Sequence, residues 1–166
     1  QEPNYSYAAA RLLLDDLRAE GLSFLGVAES ATQGDMNTYY PAALKAYIQR
    51  GIELELLAPN LAEFDLTLLG EALQADRDLQ FTYLGLQTLY DRYFIHSDEI
   101  RFELPQIFFM RVAMGLATRE DDPNARAIEF YRLLSSFDYM SSTPTLFNSG
   151  TLRPQLSSCY LTTVPD

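Results

Sequence analysis

The residues most able to do chemistry lie near the C-terminal end, in the stretch STPTLFNSGTLRPQLSSCYL, residues 142–161. It carries Thr143 and Thr145 either side of a proline, an Asn-Ser-Gly turn, and then Ser157, Ser158 and Cys159, the single cysteine of the chain. A thiol in an apolar extended context is ordinarily inert filler. Here Ser157 and Ser158 place hydroxyls and backbone amides beside the sulfur, and Thr143 adds another hydroxyl sixteen positions earlier. Such groups can hold a polar substrate without basic side chains.

Other reactive types are scattered. With one histidine, His96, no HExxH-type metal site can be assembled, and no nucleophile elbow supports a Ser-His-Asp triad, so His96 is read as a surface or capping residue. The acidic groups at 15–16, 53–55 and 120–122 lack the spacing of a metal loop and read as solvated faces and helix caps. No GxxxxGK[ST] and no GxGxxG occurs, which removes the common phosphate-cradling readings. The Tyr and Phe stripes recur at helical intervals and read as core.

The elements that must position these residues follow from periodicity. Tyr7, Ala10, Leu14 and Leu17 mark an amphipathic helix expected to close at Gly21, followed by a mobile connection over residues 22–38. A short helix is expected over 39–50, with Pro41 in its first turn and Gly51 just past its end. Residues 58–74 predict one helix or two short ones, with Asn60 as N-cap and Gly70 weakening the middle. Residues 81–95 predict an aromatic-rich helix, 96–104 a short extended piece, and 104–118 the most apolar and therefore central helix. The next helix takes Asp121 or Asp122 as cap and Pro123 in its first turn, with Ala127, Phe130, Leu133 and Leu134 as its buried stripe. From 139 onward helical spacing ends, and residues 139–150 and 156–164 read as two extended segments.

The totals limit the function. With 166 residues, 48% of them hydrophobic, the chain can bury one sizeable core. Its net charge of −11 and lack of any Lys/Arg run disfavour nucleic-acid binding. No apolar run of spanning length and no secretory signal is found, and a lone cysteine forms no internal disulfide, so the expectation is a cytoplasmic protein away from membranes. The start without Met and the end just after an extended segment suggest a piece of a longer chain.

The stretch 142–161 resembles the segment that opens the catalytic barrel of class I ribonucleotide reductase large (alpha) subunits. The segments YSYAAARLLLDDLR, DRDLQFTYLGLQTLYDRYFI and LPQIFFMRVAMGLA are similar to the helical domain preceding that barrel, while residues 22–75 match more loosely. The resemblance implies a mainly α bundle of five to seven helices over residues 1–138, followed by residues 139–166 as a short β or extended start of a ten-stranded α/β barrel. It implies that Cys159 is one of two redox-active thiols and that Thr143 and Ser158 contact a ribonucleoside diphosphate. It further implies ATP and effector control, a second large subunit, a small (beta) subunit holding a radical-generating metallocofactor, and a thioredoxin- or glutaredoxin-type reductant, with no cofactor held by these residues themselves. The second thiol, the thiyl-radical cysteine and the effector loops of that family are absent from these 166 residues, so the chain alone is expected to turn over no ribonucleotide. Two other readings remain at this point: a non-catalytic helical interaction module docking through its acidic, aromatic-rich face, and a single-thiol enzyme such as a peroxidase.

Overall fold

A computed structural model describes residues 3–136 and 144–152 of the chain. Among these residues the protein is mainly α-helical, with one two-stranded hairpin. The first helix, α1 (Pro3–Leu25), buries Ala10, Leu14 and Leu17, which the four- and three-residue intervals place on one face, while Tyr7 stands exposed at its margin. It does not stop at Gly21. There the helix lies against Leu104, whose Cδ2 would make only an ordinary contact, 3.4 Å, with an added Cβ. The end comes at Gly26, with φ +74°, where the Gly26 amide donates to the Ser23 carbonyl and the Val27 amide to the Leu22 carbonyl. Those two bonds satisfy the last carbonyls of the helix, and residues 22–25 therefore belong to α1 and not to a connection.

The second helix, α2 (Met36–Glu53), starts three residues before the expected position and runs through both Pro41 and Gly51. Pro41, the sixth residue of α2, has no N–H to give the Asn37 carbonyl, a loss of one bond at the start of the helix. Gly51 faces Leu57, whose Cδ1 would meet an added Cβ at 2.4 Å, so the glycine is required by packing and does not mark a helix end. Instead α2 closes on Glu55, with φ 61°: the Glu55 amide donates to Ile52 and the Leu56 amide to Gly51.

Residues 58–74 form two short pieces, a 3₁₀ turn (Pro59–Glu63) and α3 (Leu66–Ala72). Asn60 lies inside the turn and is no N-cap; Asp65 caps α3 by accepting from the Leu68 amide at 3.1 Å. A second 3₁₀ turn (Ala75–Gln80) leads to α4 (Tyr83–Arg92), capped by Thr82. The extended piece that follows is a hairpin, β1 (His96–Ser97) paired antiparallel with β2 (Ile100–Arg101). Its turn residues Asp98 and Glu99 have φ 50° and 74°, the two positive values of a tight hairpin turn. Arg101 ties the hairpin to the end of α4, donating from Nε to the Tyr90 carbonyl at 2.9 Å and from Nη2 to the Asp91 carbonyl at 3.2 Å.

The apolar helix α5 (Pro105–Ala117) is central, as its composition predicts, and is buried nearly all round. It packs chiefly on α6 (Pro123–Ser135), which is capped by Asp122 accepting from the Ala125 amide. In α6 the buried residues are Ala127, Tyr131, Leu134 and Ser135; Leu133 faces solvent and Phe130 is half-buried, so the face is turned by a few tens of degrees from the expected stripe. The third 3₁₀ turn (Pro144–Asn148) replaces extended structure expected at those positions. Residues 156–164, the other expected extended segment, and residues 139–143 fall outside the described residues.

Candidate functional site

Thr143, Ser158 and Cys159 lie outside the described residues, on either side of a described segment, Leu146–Leu152. How that segment is held decides where the chain departs toward each of them.

The anchor is Arg111, wholly buried on α5. Its guanidinium meets the carboxylate of Glu103 side by side, Nε to Oε2 and Nη2 to Oε1, both at 2.9 Å. Glu103 is itself wholly enclosed, and its carboxylate also accepts from the Tyr47 hydroxyl of α2 and from the Ile95 amide at 2.9 Å. Each oxygen of this enclosed carboxylate thus accepts two hydrogen bonds, the pairing that a polar group inside a core requires. Burial by itself would lower the Arg111 pKa, but the Glu103 charge and hydrogen bonds outweigh it and hold the guanidinium firmly protonated. Burial, followed by the Glu103 charge, drives the Tyr47 phenol well above its ordinary value, so it stays a donor.

The remaining Arg111 donor, Nη1, reaches into the segment. It donates to the Phe147 carbonyl and, at 3.0 Å, to the Ser149 carbonyl. Around these bonds the segment is packed closely. Gly150, at φ +84°, lies so near the Arg111 carbonyl that a Cβ there would approach it to 2.8 Å. On the helix side, a Cβ on Gly115 would meet Ser149 Oγ at 2.1 Å and the Gly150 nitrogen at 2.2 Å. Backbone therefore lies on backbone, which glycine alone permits. The Phe147 ring sits edge-on to Tyr93 and Phe108, with centroids 4.8 and 5.2 Å away. A short bridge completes the seat: the Ala58 amide donates to Gly150 and the Leu152 amide to Leu56, both at 3.0 Å.

A second buried polar centre surrounds Asp78. Its carboxylate accepts from the Tyr40 hydroxyl of α2 at 2.9 Å and from Gln106 Nε2 of α5 at 2.8 Å, with Gln33 Nε2 at 3.5 Å. Gln106 Oε1 in turn accepts from the Tyr131 hydroxyl of α6 at 2.6 Å. Burial pushes the Asp78 carboxyl up to about 6, against the pull of the Gln106, Tyr40 and Gln33 hydrogen bonds and the Arg18 charge. This centre ties α2, α5, α6 and the second 3₁₀ turn together through buried hydrogen bonds.

His96 is exposed on β1, and Asp15, Asp16, Glu53, Glu55 and the acidic residues 120–122 are all exposed. Among the described residues no group of three or more His, Cys, Asp or Glu is arranged to hold a metal ion, and no helix is long and apolar enough to cross a membrane. A shallow apolar groove of about 500 Å³ runs between α2 and the start of α3, lined by Ile48, Ile52, Phe64 and Leu66 with Lys45 and Glu53 at its rim. Sequence reading passed over Arg111 and Glu103. The available signal was the charge of Arg111 inside the run PQIFFMRVAMGLA, where an amphipathic face is not on offer and a charge has to find a buried partner.

Comparison with known proteins adds a family. Residues 79–154 match the model described as ribonucleotide reductase, all-alpha domain. The whole chain is 50% identical over 166 residues to the ribonucleoside-diphosphate reductase subunit alpha of Chlamydia trachomatis, covering 15% of that protein. It is 41% identical to the Helicobacter pylori subunit alpha, with 99% of the chain and 19% of the relative covered. The Danio rerio large subunit is 36% identical over 100% of the chain and 20% of its own length. The chain thus spans a fifth or less of the length of these curated relatives.

Proposed function

Since the chain belongs to the ribonucleotide reductase large-subunit family, we propose that it forms part of a class I subunit that reduces ribonucleoside diphosphates to deoxyribonucleotides. In this reading residues 1–138 are the helical domain and residues 139–166 open the catalytic barrel. Cys159 is one of a pair of thiols; Thr143 and Ser158 offer hydroxyl and amide donors to the substrate's ribose or diphosphate oxygens. A thiyl radical on a different cysteine removes the ribose 3′-hydrogen, the 2′-hydroxyl leaves as water, and the thiol pair gives up two electrons, ending as a disulfide. A thioredoxin- or glutaredoxin-type protein returns that disulfide to dithiol. The radical originates in a metallocofactor of a separate small subunit, so no residue of this chain is assigned to it. A second large subunit, ATP-type effector control and a cytoplasmic setting complete the proposal.

The observation that carries it is the likeness of the whole chain to ribonucleoside-diphosphate reductase alpha subunits, 50% and 41% identical to it. The test is Cys159→Ser in the full-length subunit assembled with its small subunit. Multiple-turnover reduction should be lost while substrate binding stays within about twofold, and near-normal turnover would remove the redox role.

A further inference from the structure

We propose that residues 26–35, the connection between α1 and α2, form a strap hinged at Gly26 and latched by Gln33 over the buried carboxylate of Asp78, and that this strap opens and closes as a unit while the helices around it stay folded. The strap, its latch and the cluster beneath it all lie among the described residues.

Little apolar burial holds the strap down. After the hinge, where Gly26 takes φ +74°, it reads Val-Ala-Glu-Ser-Ala-Thr-Gln-Gly-Asp, and beyond Val27 its apolar contacts with the core are those of Ala28 and Ala31. Two methyl groups resist lifting only weakly. Several of its hydrogen bonds are internal: the Asp35 amide donates to the Thr32 carbonyl at 3.1 Å, and the Thr32 amide to the Asp35 carboxylate at 3.0 Å. Such bonds travel with the strap. Two side chains fasten it to the body. Arg18 of α1 donates from Nε to the Ala31 carbonyl at 2.8 Å and from Nη1 to Gln33 Oε1 at 3.0 Å. Gln33 Nε2 donates to the Ala75 carbonyl of the second 3₁₀ turn at 2.8 Å and stands 3.5 Å from Asp78 Oδ2. Gln33 is half-buried whereas Asp78 is enclosed, so its amide covers the carboxylate from the solvent side.

Lifting the strap brings water to Asp78, which couples opening to the charge on that group. The Tyr40 hydroxyl lies 3.0 and 2.9 Å from the two carboxyl oxygens, so it can donate to the ionised form, or accept the proton of the neutral form from one oxygen while donating to the other. Both charge states thus fit the closed cluster, and solvation decides between them. The groups facing Asp78 are Arg18 from α1, Gln33 from the strap, Tyr40 from α2, Gln106 from α5 and Tyr131 from α6; Arg77, on its own turn, is held by the Arg132 carbonyl and the Ser135 hydroxyl. Burial holds the closed-state carboxyl up at about 6, against the hydrogen bonds of Gln106, Tyr40 and Gln33 and the Arg18 charge. Water admitted by opening returns it toward 3.8, so protonation favours the closed strap: that contribution is complete below pH 3.8 and is lost as pH rises through 6.

Amide hydrogen exchange in the full-length protein tests this, read by mass spectrometry on a peptide spanning residues 26–36 and on one from α5, with rates corrected for the intrinsic pH dependence of exchange. In wild type the strap peptide should exchange on the order of tenfold faster at pH 7.5 than at pH 4.5, while the α5 peptide stays protected. Asp78→Asn, neutral at every pH, should abolish that rise. Gln33→Leu should speed strap exchange about tenfold at both pH values, having lost the amide bonds to Arg18 and Ala75. Should Asp78→Asn fail to fold, Tyr40→Phe takes its place: with one donor to the ionised carboxylate gone, the midpoint of the rise should move to higher pH. Strap exchange that changes only in step with α5 overturns the inference, because the connection then opens only when the whole fold does. A rise that persists in Asp78→Asn, or an unmoved midpoint in Tyr40→Phe, overturns it equally.

Discussion

At the scale of single residues, Asp78 makes stability depend on pH in an unusual direction. Its carboxyl is raised from an ordinary 3.8 to about 6 in the folded state, chiefly by burial, so the folded chain binds that proton more tightly than the unfolded one. Its contribution is complete below pH 3.8 and is lost as pH rises through 6, a change of about 3 kcal/mol across that window. Urea midpoints of wild type and Asp78→Asn between pH 3.5 and 7 check this: the difference between the two proteins should vary with pH, and parallel curves would contradict it. Arg111 and Glu103 show what residue-level reading can and cannot reach. The oddity of an arginine inside an apolar helix is visible in the sequence, but its partner is eight positions earlier, just before the helix begins, and its other contacts are backbone carbonyls 36 and 38 positions later. Carbonyls belong to every residue type, so no side-chain pattern announces them. Thr143, Ser158 and Cys159 were singled out for the opposite reason, because they sit within one continuous stretch of distinctive composition, and all three lie outside the described residues.

Helix ends are where sequence and structure part most. Glycine at 21 and at 51 reads as a stop signal, yet both lie within helices, and Gly51 serves close packing against Leu57. The real stops are Gly26 and Glu55. The second is opaque to sequence because glutamate is a helix former, and only the tertiary demand that Leu57 meet Gly51 turns the chain there. A side chain held at φ 61° costs about 1 kcal/mol relative to glycine. Glu55→Gly, at an exposed site, should therefore stabilise the protein by roughly 0.5–1 kcal/mol, raising the melting temperature by about 2–4 °C. Gly51→Ala should do the reverse, since its methyl would overlap Leu57, with a cost of about 1–3 kcal/mol in a urea titration. By contrast α5 and the Asp122 and Pro123 start of α6 were legible, because apolar composition and cap chemistry act locally and need no partner.

At the scale of the whole molecule, the helical body and the segment after it share one interior. Phe147 is buried between Tyr93 and Phe108, and two buried carbonyls of the segment occupy an Arg111 donor. A chain ended after Ser136 would keep the six α-helices of the described residues but leave that donor and the pocket of Phe147 unfilled. Its unfolding free energy should fall by about 3–5 kcal/mol against the 166-residue chain, measured by urea with circular dichroism, and coincident curves would show that the segment adds nothing. The glycine pair at 115 and 150 has a further consequence for anyone moving parts between relatives of this chain. A loop carrying a different residue 150, grafted onto a helix that keeps Gly115, would meet the Arg111 carbonyl; a helix carrying alanine at 115 would reject every loop of this shape. Transplantable units here are defined by helix and loop together, and a chimera drawn at the boundary between them would be built to clash.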